Sequence, residues 1–243
     1  MRYERYSFKH KESIVTILAE NERQYKLAVD AILMARRLIE ERIKKDPYFL
    51  ITYEPYEIDE LDEGLDEVTS RMVRASRIAN VGPMAAVAGT ISAVAVESMV
   101  DAGDFALVDN GGDIAMHAYE DVTIGIFTPK NLNLGFKINP RGFYSVCTSS
   151  GTVGHSVSLG FADAVTVFAE DASIADCFAT RIGNEIKEDF GKKEIKNVLK
   201  ELWRNAKNYI DGLLVIKDEI IGKIGKVPKL KKVHIEPDLI TKG

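Results

Sequence analysis

The chain has 243 residues, 46% of them hydrophobic and 28% charged, with a formal net charge of −5 at pH 7. That is enough apolar material to bury a substantial core. The acidic balance argues against a nucleic-acid partner, because phosphate neutralisation needs a dense basic surface.

The opening Met1-Arg2-Tyr3-Glu4-Arg5-Tyr6 is mixed and polar, unlike a secretory signal, so a cytoplasmic location is expected. A short alternating segment (Ile14, Thr16, Leu18) precedes a long helix carrying Ala28, Ile32, Ala35, Ile39 and Ile43 at helical spacing. Its end is basic (Arg36, Arg37, Arg42, Lys44, Lys45), which suits the negative end of a helix dipole and reads as a solvated face. Pro47 stops the helix, and Tyr48 to Tyr53 reads as a strand. The acidic stretch Glu57 to Glu67 reads as a surface linker. A second helix follows, with Leu65, Val68, Met72, Ala75 and Ala79 on its apolar face and its end near Asn80.

Gly82-Pro83 breaks the chain and starts a helix from Met84 to Met99 that carries almost no bulk: Ala85, Ala86, Ala88, Gly89, Ser92, Ala93 and Ala95. Its apolar run is short and small-residued for a membrane span, so a buried helix and no membrane partner are expected. Such a helix permits very close packing, and its N-terminal amides could hold a phosphate; the two readings are compatible.

From Asp104 to Val146 the pattern becomes a meander of strands: 105–108, 114–118, 122–127, 135–138 and 144–147. Between the first two lies Asn110-Gly111-Gly112-Asp113, whose glycines suit either a tight hairpin or a close backbone approach to a ligand. Thr148-Ser149-Ser150-Gly151-Thr152-Val153-Gly154-His155-Ser156 offers hydroxyls and amides to an anion, or is simply a polar connection. His155 is open to acid–base work or to an ordinary surface role. Cys147 and Cys177 have neither metal nor redox spacing and are expected as buried free thiols.

An apolar strand (Ala164 to Phe168) then leads to a helix in which Asp176 and Thr180, four residues apart, share one face. Ile174, Phe178 and Ile182 lie on roughly the opposite side. A carboxylate and a hydroxyl together suit a hard cation such as Mg²⁺; the alternative is a solvated Asp and a Thr bonded back to its own helix. The chain closes with a polar helix (193–207), a strand (213–217) and a tail, 229–235, that alternates like an edge strand. No repeat is present, and one domain spans 1–243: a strand–helix extension (1–60), a site-bearing core (61–190) and a C-terminal helix with strands (191–243).

The order of these elements, with Val108-Asp109-Asn110-Gly111-Gly112-Asp113-Ile114, Thr148-Ser149-Ser150-Gly151 and Ala175-Asp176-Cys177-Phe178-Ala179-Thr180, resembles the ApbE-like superfamily over roughly Ala79 to Asn184. It is most similar to a shorter branch of it. The resemblance implies an α+β domain of antiparallel sheets packed against several helices. It implies Mg²⁺-dependent handling of FAD, with transfer of FMN to a hydroxyl of an acceptor flavoprotein or cleavage of the FAD pyrophosphate. Asp176 and Thr180, with the backbone near Pro83, would hold Mg²⁺. Asn80, Gly82, Gly111, Gly112, Asp113, Ser149, Ser150 and Gly151 would line the flavin nucleotide, and His155 would join Asp176 in the chemistry.

The chain also departs from the pattern. Ala86 stands where the transferases carry Lys or Glu, and Ala179 where some carry a second metal-binding Asp. The segment between Gly151 and His155 is shorter than the family's usual loop. A module that binds a flavin or another phosphate-bearing heterocycle without turnover is therefore the alternative, and a homodimer is compatible with the composition.

Overall fold

The computed structural model describes residues 3–57, 64–126, 134–151, 160–233 and 241. Eight strands form one sheet: β1 (Glu4–His10), β2 (Ser13–Ala19), β3 (Ala106–Asn110), β4 (Asp113–Ala118), β7 (Gly142–Ser149), β8 (Ala164–Ala169), β9 (Gly212–Lys217) and β10 (Ile220–Gly225). They lie in the order β1-β2-β3-β4-β7-β8-β9-β10, and every neighbouring pair is antiparallel. A second sheet of three strands, in the order β11-β6-β5, is built from β5 (Val122–Ile126), β6 (Leu134–Ile138) and β11 (Lys229–Lys232). The helices are α1 (Glu22–Lys45), α2 (Tyr48–Ile51), α3 (Glu67–Ala79), α4 (Val87–Met99), α5 (Ala172–Glu185) and α6 (Lys192–Ala206).

Alternation along the central strands produces two cores. Val108, Ala115, Cys147, Val165 and Val215 face the helices. Leu107, Ile114, Met116, Phe168 and Leu214 face the small sheet, where the Phe136 ring meets Phe168 edge-on at 4.7 Å between centroids. The molecule thus has three layers, helices over a large sheet over a small one, and the α+β expectation holds. The expected simple meander does not. β4 pairs with β7, while β5 and β6 leave to make the second sheet, because their apolar faces bury best against the free face of the first.

The expected strand at Tyr48 to Tyr53 is instead the single turn α2. The Asp46 carboxylate accepts the Tyr48 N–H at 3.0 Å, Pro47 already has helical dihedrals, and Phe49 is fully buried, so local capping and one anchor override β-propensity. The basic end of α1 is also not uniformly solvated. Arg42 is buried and donates to the Tyr56 hydroxyl, and Arg36 pairs with Glu12 and Ser13 of the hairpin beneath it.

Helix α4 lies at the centre of the helical layer, against α1, α5, β3 and β4. The stretch Pro83–Ala102 is long and apolar enough to cross a membrane by composition, yet half of it is buried inside this fold, as befits a core helix. Its small residues serve contact. A Cβ at Gly89 would clash with the Ala172 carbonyl oxygen and sit 2.8 Å from the Asp176 Cβ, so only glycine lets α4 and α5 approach this closely.

Candidate cation and nucleotide site

Three segments distant in sequence meet at one end of the large sheet: the entry to α4, the β3–β4 hairpin and the middle of α5. The hairpin turn is Gly111-Gly112, with φ of 68° and 105°, closing between paired Asn110 and Asp113. Two successive positive φ values demand glycine or its nearest substitutes. Asp109 rigidifies the turn by accepting the Gly112 N–H at 2.9 Å on one oxygen and the Thr241 hydroxyl at 2.6 Å on the other. The Gly112 carbonyl accepts the Thr148 N–H at 3.1 Å, tying the turn to β7. From α4, the Ser92 hydroxyl donates to the Asp113 carbonyl at 2.8 Å.

Asp176 lies opposite, on α5, and is only 7% exposed. Its Oδ2 accepts the Gly89 N–H at 2.8 Å. The first-turn amides of a helix have no partner within it and carry the positive end of its dipole, so this carboxylate caps α4 from a neighbouring helix. Burial pushes the Asp176 carboxyl up to about 7, against the opposing pull of the Gly89 and Ala88 amides. Asp113 is held well above the ordinary carboxylate range, first by burial, then by the negative charges of Asp176 and Asp109; the Cys147 thiol and the Thr148 amide pull the other way. Asp113 Oδ1 is buried and has no hydrogen-bond partner. Leaving such an acceptor unmatched costs roughly 1–3 kcal/mol. Cys147 and Cys177 are buried free thiols, as expected; burial and the nearby carboxylates push both up, so neither offers a thiolate nucleophile.

The expected site residues are placed as follows. Thr180 follows Asp176 by one turn and is half-buried. Pro83 is buried at the start of a 3-10 turn, Pro83–Ala86, which packs on α3 and α5. Gly82 is buried too, and a Cβ there would strike the Thr52 carbonyl, so its lack of a side chain is needed for chain packing. Asn80 is exposed, ending α3 in a left-handed conformation with φ 58°. Ser149 ends β7 opposite Val165, and the Gly151 N–H is bonded to the Ala162 carbonyl at 3.0 Å, which puts this loop at the same end of the sheet as the hairpin. His155 lies outside the described residues. The α4 amides foreseen for a phosphate are instead engaged in part by Asp176. Sequence reasoning missed the Gly89 amide, the Asp109 brace and the Cys147 thiol. The Asp109-to-Gly112 spacing, a short polar side chain three residues before a turn glycine, was the available signal for the brace.

Chemically, the arrangement offers hard oxygens: two carboxylates, one of them with an unmatched buried oxygen, with the Thr180 hydroxyl one helical turn from Asp176. Among the described residues no three Asp, Glu, His or Cys side chains converge in the manner of an all-protein metal cage. A donor set this small fits Mg²⁺, which keeps several waters or phosphate oxygens, better than it fits zinc. A separate cleft of about 510 Å³ between α3, α4 and the N-terminus of α5 is lined by Arg71, Arg74, Glu97, Phe143, Tyr144 and Asp171 among others. None of the expected site residues lines it, and its arginines are already paired with Glu67, Glu97 and Asp171.

A family model described as AbpE bacteria matches residues 1–206. The chain is 50% identical over 240 residues to a UPF0280 protein of Archaeoglobus fulgidus, covering 98% of this chain and 99% of that one. It is 46% identical over 240 residues to a UPF0280 protein of Methanosarcina barkeri, with 97% and 92% covered. Among solved structures, the apo flavinyl transferase ApbE of Pseudomonas stutzeri matches with a TM-score of 0.59 at 11% identity, covering 92% of this chain and 94% of that one. The ApbE protein of Thermotoga maritima gives 0.58 at 14% identity, with 99% and 100% covered. At these identities the likeness to the solved structures is one of fold.

Proposed function

The chain belongs to the AbpE bacteria family, and we propose that it is a Mg²⁺-dependent protein for flavin nucleotides, cleaving the FAD pyrophosphate or transferring FMN to a hydroxyl of an acceptor flavoprotein. The observation that carries this reading is the buried Asp176 carboxylate, held by backbone amides at the α4 entry and facing the second acid, Asp113. Burying two neighbouring carboxylates is costly unless a proton or a cation joins them.

Asp176, Thr180 and a backbone carbonyl near Pro83 would hold Mg²⁺, whose chemistry when bound is to neutralise charge on phosphate oxygens. The Gly111-Gly112 turn would let a diphosphate approach the backbone closely, with Asp109 holding its shape. Ser149 and Ser150 would offer hydroxyl donors beside it, Gly151 would hold that segment in place through its N–H to the Ala162 carbonyl, Asn80 and Gly82 would contribute from the α3–α4 junction, and His155 would serve proton transfer. In the transfer reaction the acceptor hydroxyl forms a new bond to the FMN phosphorus, and AMP leaves with the bridging oxygen. A cytoplasmic location and a homodimer belong to the same proposal.

Binding without turnover is the second reading. It is favoured by Ala86, which is fully buried and offers no side chain to a phosphate. The test is AMP release from FAD with Mg²⁺, alongside the absorbance of the desalted protein in the flavin bands. Release that disappears in Asp176→Ala supports the enzyme, retained flavin without release supports the binding module, and neither signal rejects both.

A further inference from the structure

We infer that Asp113 is itself a ligand of the cation, its Oδ1 placing a second carboxylate beside Asp176. This rests on the reading above that a divalent cation sits at this end of the sheet.

The support is geometric. Asp113 Oδ1 is sealed from solvent and meets no donor, whereas the rest of the residue is fixed. Its backbone pairs with Cys147 across the β4–β7 ladder, and its carbonyl is held by the Ser92 hydroxyl at 2.8 Å. The Cys147 thiol and the Thr148 amide also face its carboxyl. An acceptor fixed in place and left unmatched points to a ligand rather than to a side chain free to seek water. Asp109 provides the contrast within the same cluster. Both of its oxygens are occupied, by the Gly112 N–H and the Thr241 hydroxyl, so it acts as a brace with no oxygen left over. Mg²⁺ is commonly held by one or two carboxylates, with the remaining positions filled by water or phosphate, and two carboxylates with the Thr180 hydroxyl meet that requirement. Two such charges would also balance a divalent ion without help from a nucleotide, so the ion should bind before any flavin does.

Mn²⁺ binding to the full chain without nucleotide, read by electron paramagnetic resonance of the free ion, tests this in wild type, Asp113→Asn, Asp109→Asn and Asp176→Asn. Asp113→Asn is expected to weaken binding at least about tenfold, as loss of a supporting group at a metal site typically does. Asp109→Asn removes a neighbouring charge but no ligand, keeps an amide oxygen for the Gly112 N–H and turns an amide N–H toward the Thr241 hydroxyl, so it should weaken binding clearly less than Asp113→Asn. Normal binding in Asp113→Asn with loss in Asp176→Asn overturns the inference and leaves the cation reading standing. Equal weakening in the Asp113 and Asp109 variants also overturns it, as an effect of charge alone. Absence of binding in wild type, or no loss in Asp176→Asn, rejects the cation reading and this inference together. A cation-free thermal melt accompanies each variant, and Asp113→Ser makes the same comparison if the Asn variant does not fold.

Discussion

The Asp176 carboxylate on α5 takes the Gly89 N–H of α4 at 2.8 Å, across 87 residues of chain. One bond therefore fixes the distance between the two helices and the position of the acid that would hold a cation.

Replacing Asp176 with Asn keeps an oxygen for the Gly89 amide but removes the buried charge. In chelator at pH 8 the Asn variant should melt a few degrees above wild type, since about 1 kcal/mol corresponds to roughly 2–4 °C for a chain of this size. Added Mg²⁺ should raise the melting temperature of wild type and leave the variant unmoved. Differential scanning calorimetry with and without the ion decides it, and a variant less stable than wild type in chelator would contradict the account.

The cation-free protein should lose stability as pH rises. The folded Asp176 carboxyl is pushed up to about 7 from an ordinary 3.8, so between those values the folded state holds a proton that the unfolded state has released. Stability is then fully present below the lower value and is lost as pH climbs through the upper one, by on the order of several kcal/mol. Urea midpoints at pH 5 and pH 8 in chelator should show the fall, and Asp176→Asn should lessen it, leaving the part that the raised Asp113 and Asp109 carboxyls contribute. A saturating cation should reverse the trend, because protons then compete with the ion.

Gly89→Ala tests the helix contact. Its new methyl would meet the Ala172 carbonyl and the Asp176 Cβ, forcing α4 and α5 apart at a cost of about 1–3 kcal/mol. Because Asp176 moves with α5, cation affinity should fall as well. Chemical denaturation and Mn²⁺ titration of one preparation read both effects; a change in stability alone would place the acid's role elsewhere.

In the hairpin, Gly112→Ala should cost about 1–2 kcal/mol from its positive φ, because the nearest atom to the new methyl, the Thr148 carbonyl oxygen at 3.6 Å, is at an ordinary contact distance. Gly111→Asn should be tolerated far better, since φ of 68° lies in the region that Asn adopts. Comparing the two midpoints separates backbone strain from crowding.

Much of this architecture was legible in the sequence. The 3.6-residue spacing of Ala28, Ile32, Ala35 and Ile39 marked α1, and all four are buried. The small residues of α4 announced a close neighbour, which proved to be α5. The Asn110–Asp113 turn and the Asp176/Thr180 spacing were visible as motifs. The departure of β5 and β6 into a second sheet was not, because pairing there depends on Phe136 finding Phe168, a contact that no local pattern encodes. β1 was missed because its side chains alternate only between exposed and half-buried, which leaves a weak hydrophobic period. The depth of Asp176 was equally hidden. The spacing sets the Asp/Thr pair opposite the apolar face of Ile174, Phe178 and Ile182, but every residue of α5 from Ala172 to Ala179 is buried, and three-dimensional context alone decides which polar group goes under.

Gly89, Asp113 and Asp176 come together only when the hairpin, α4 and α5 have all docked, so the oxygens of the site do not exist in any shorter piece of the chain. A nascent polypeptide that has just completed β7 would carry the glycine turn but no α5 carboxylate. Contacts between segments this far apart form slowly because the loops between them must close first. An ion recognising the assembled set would bind only the finished fold, drawing the last folding step to completion by mass action.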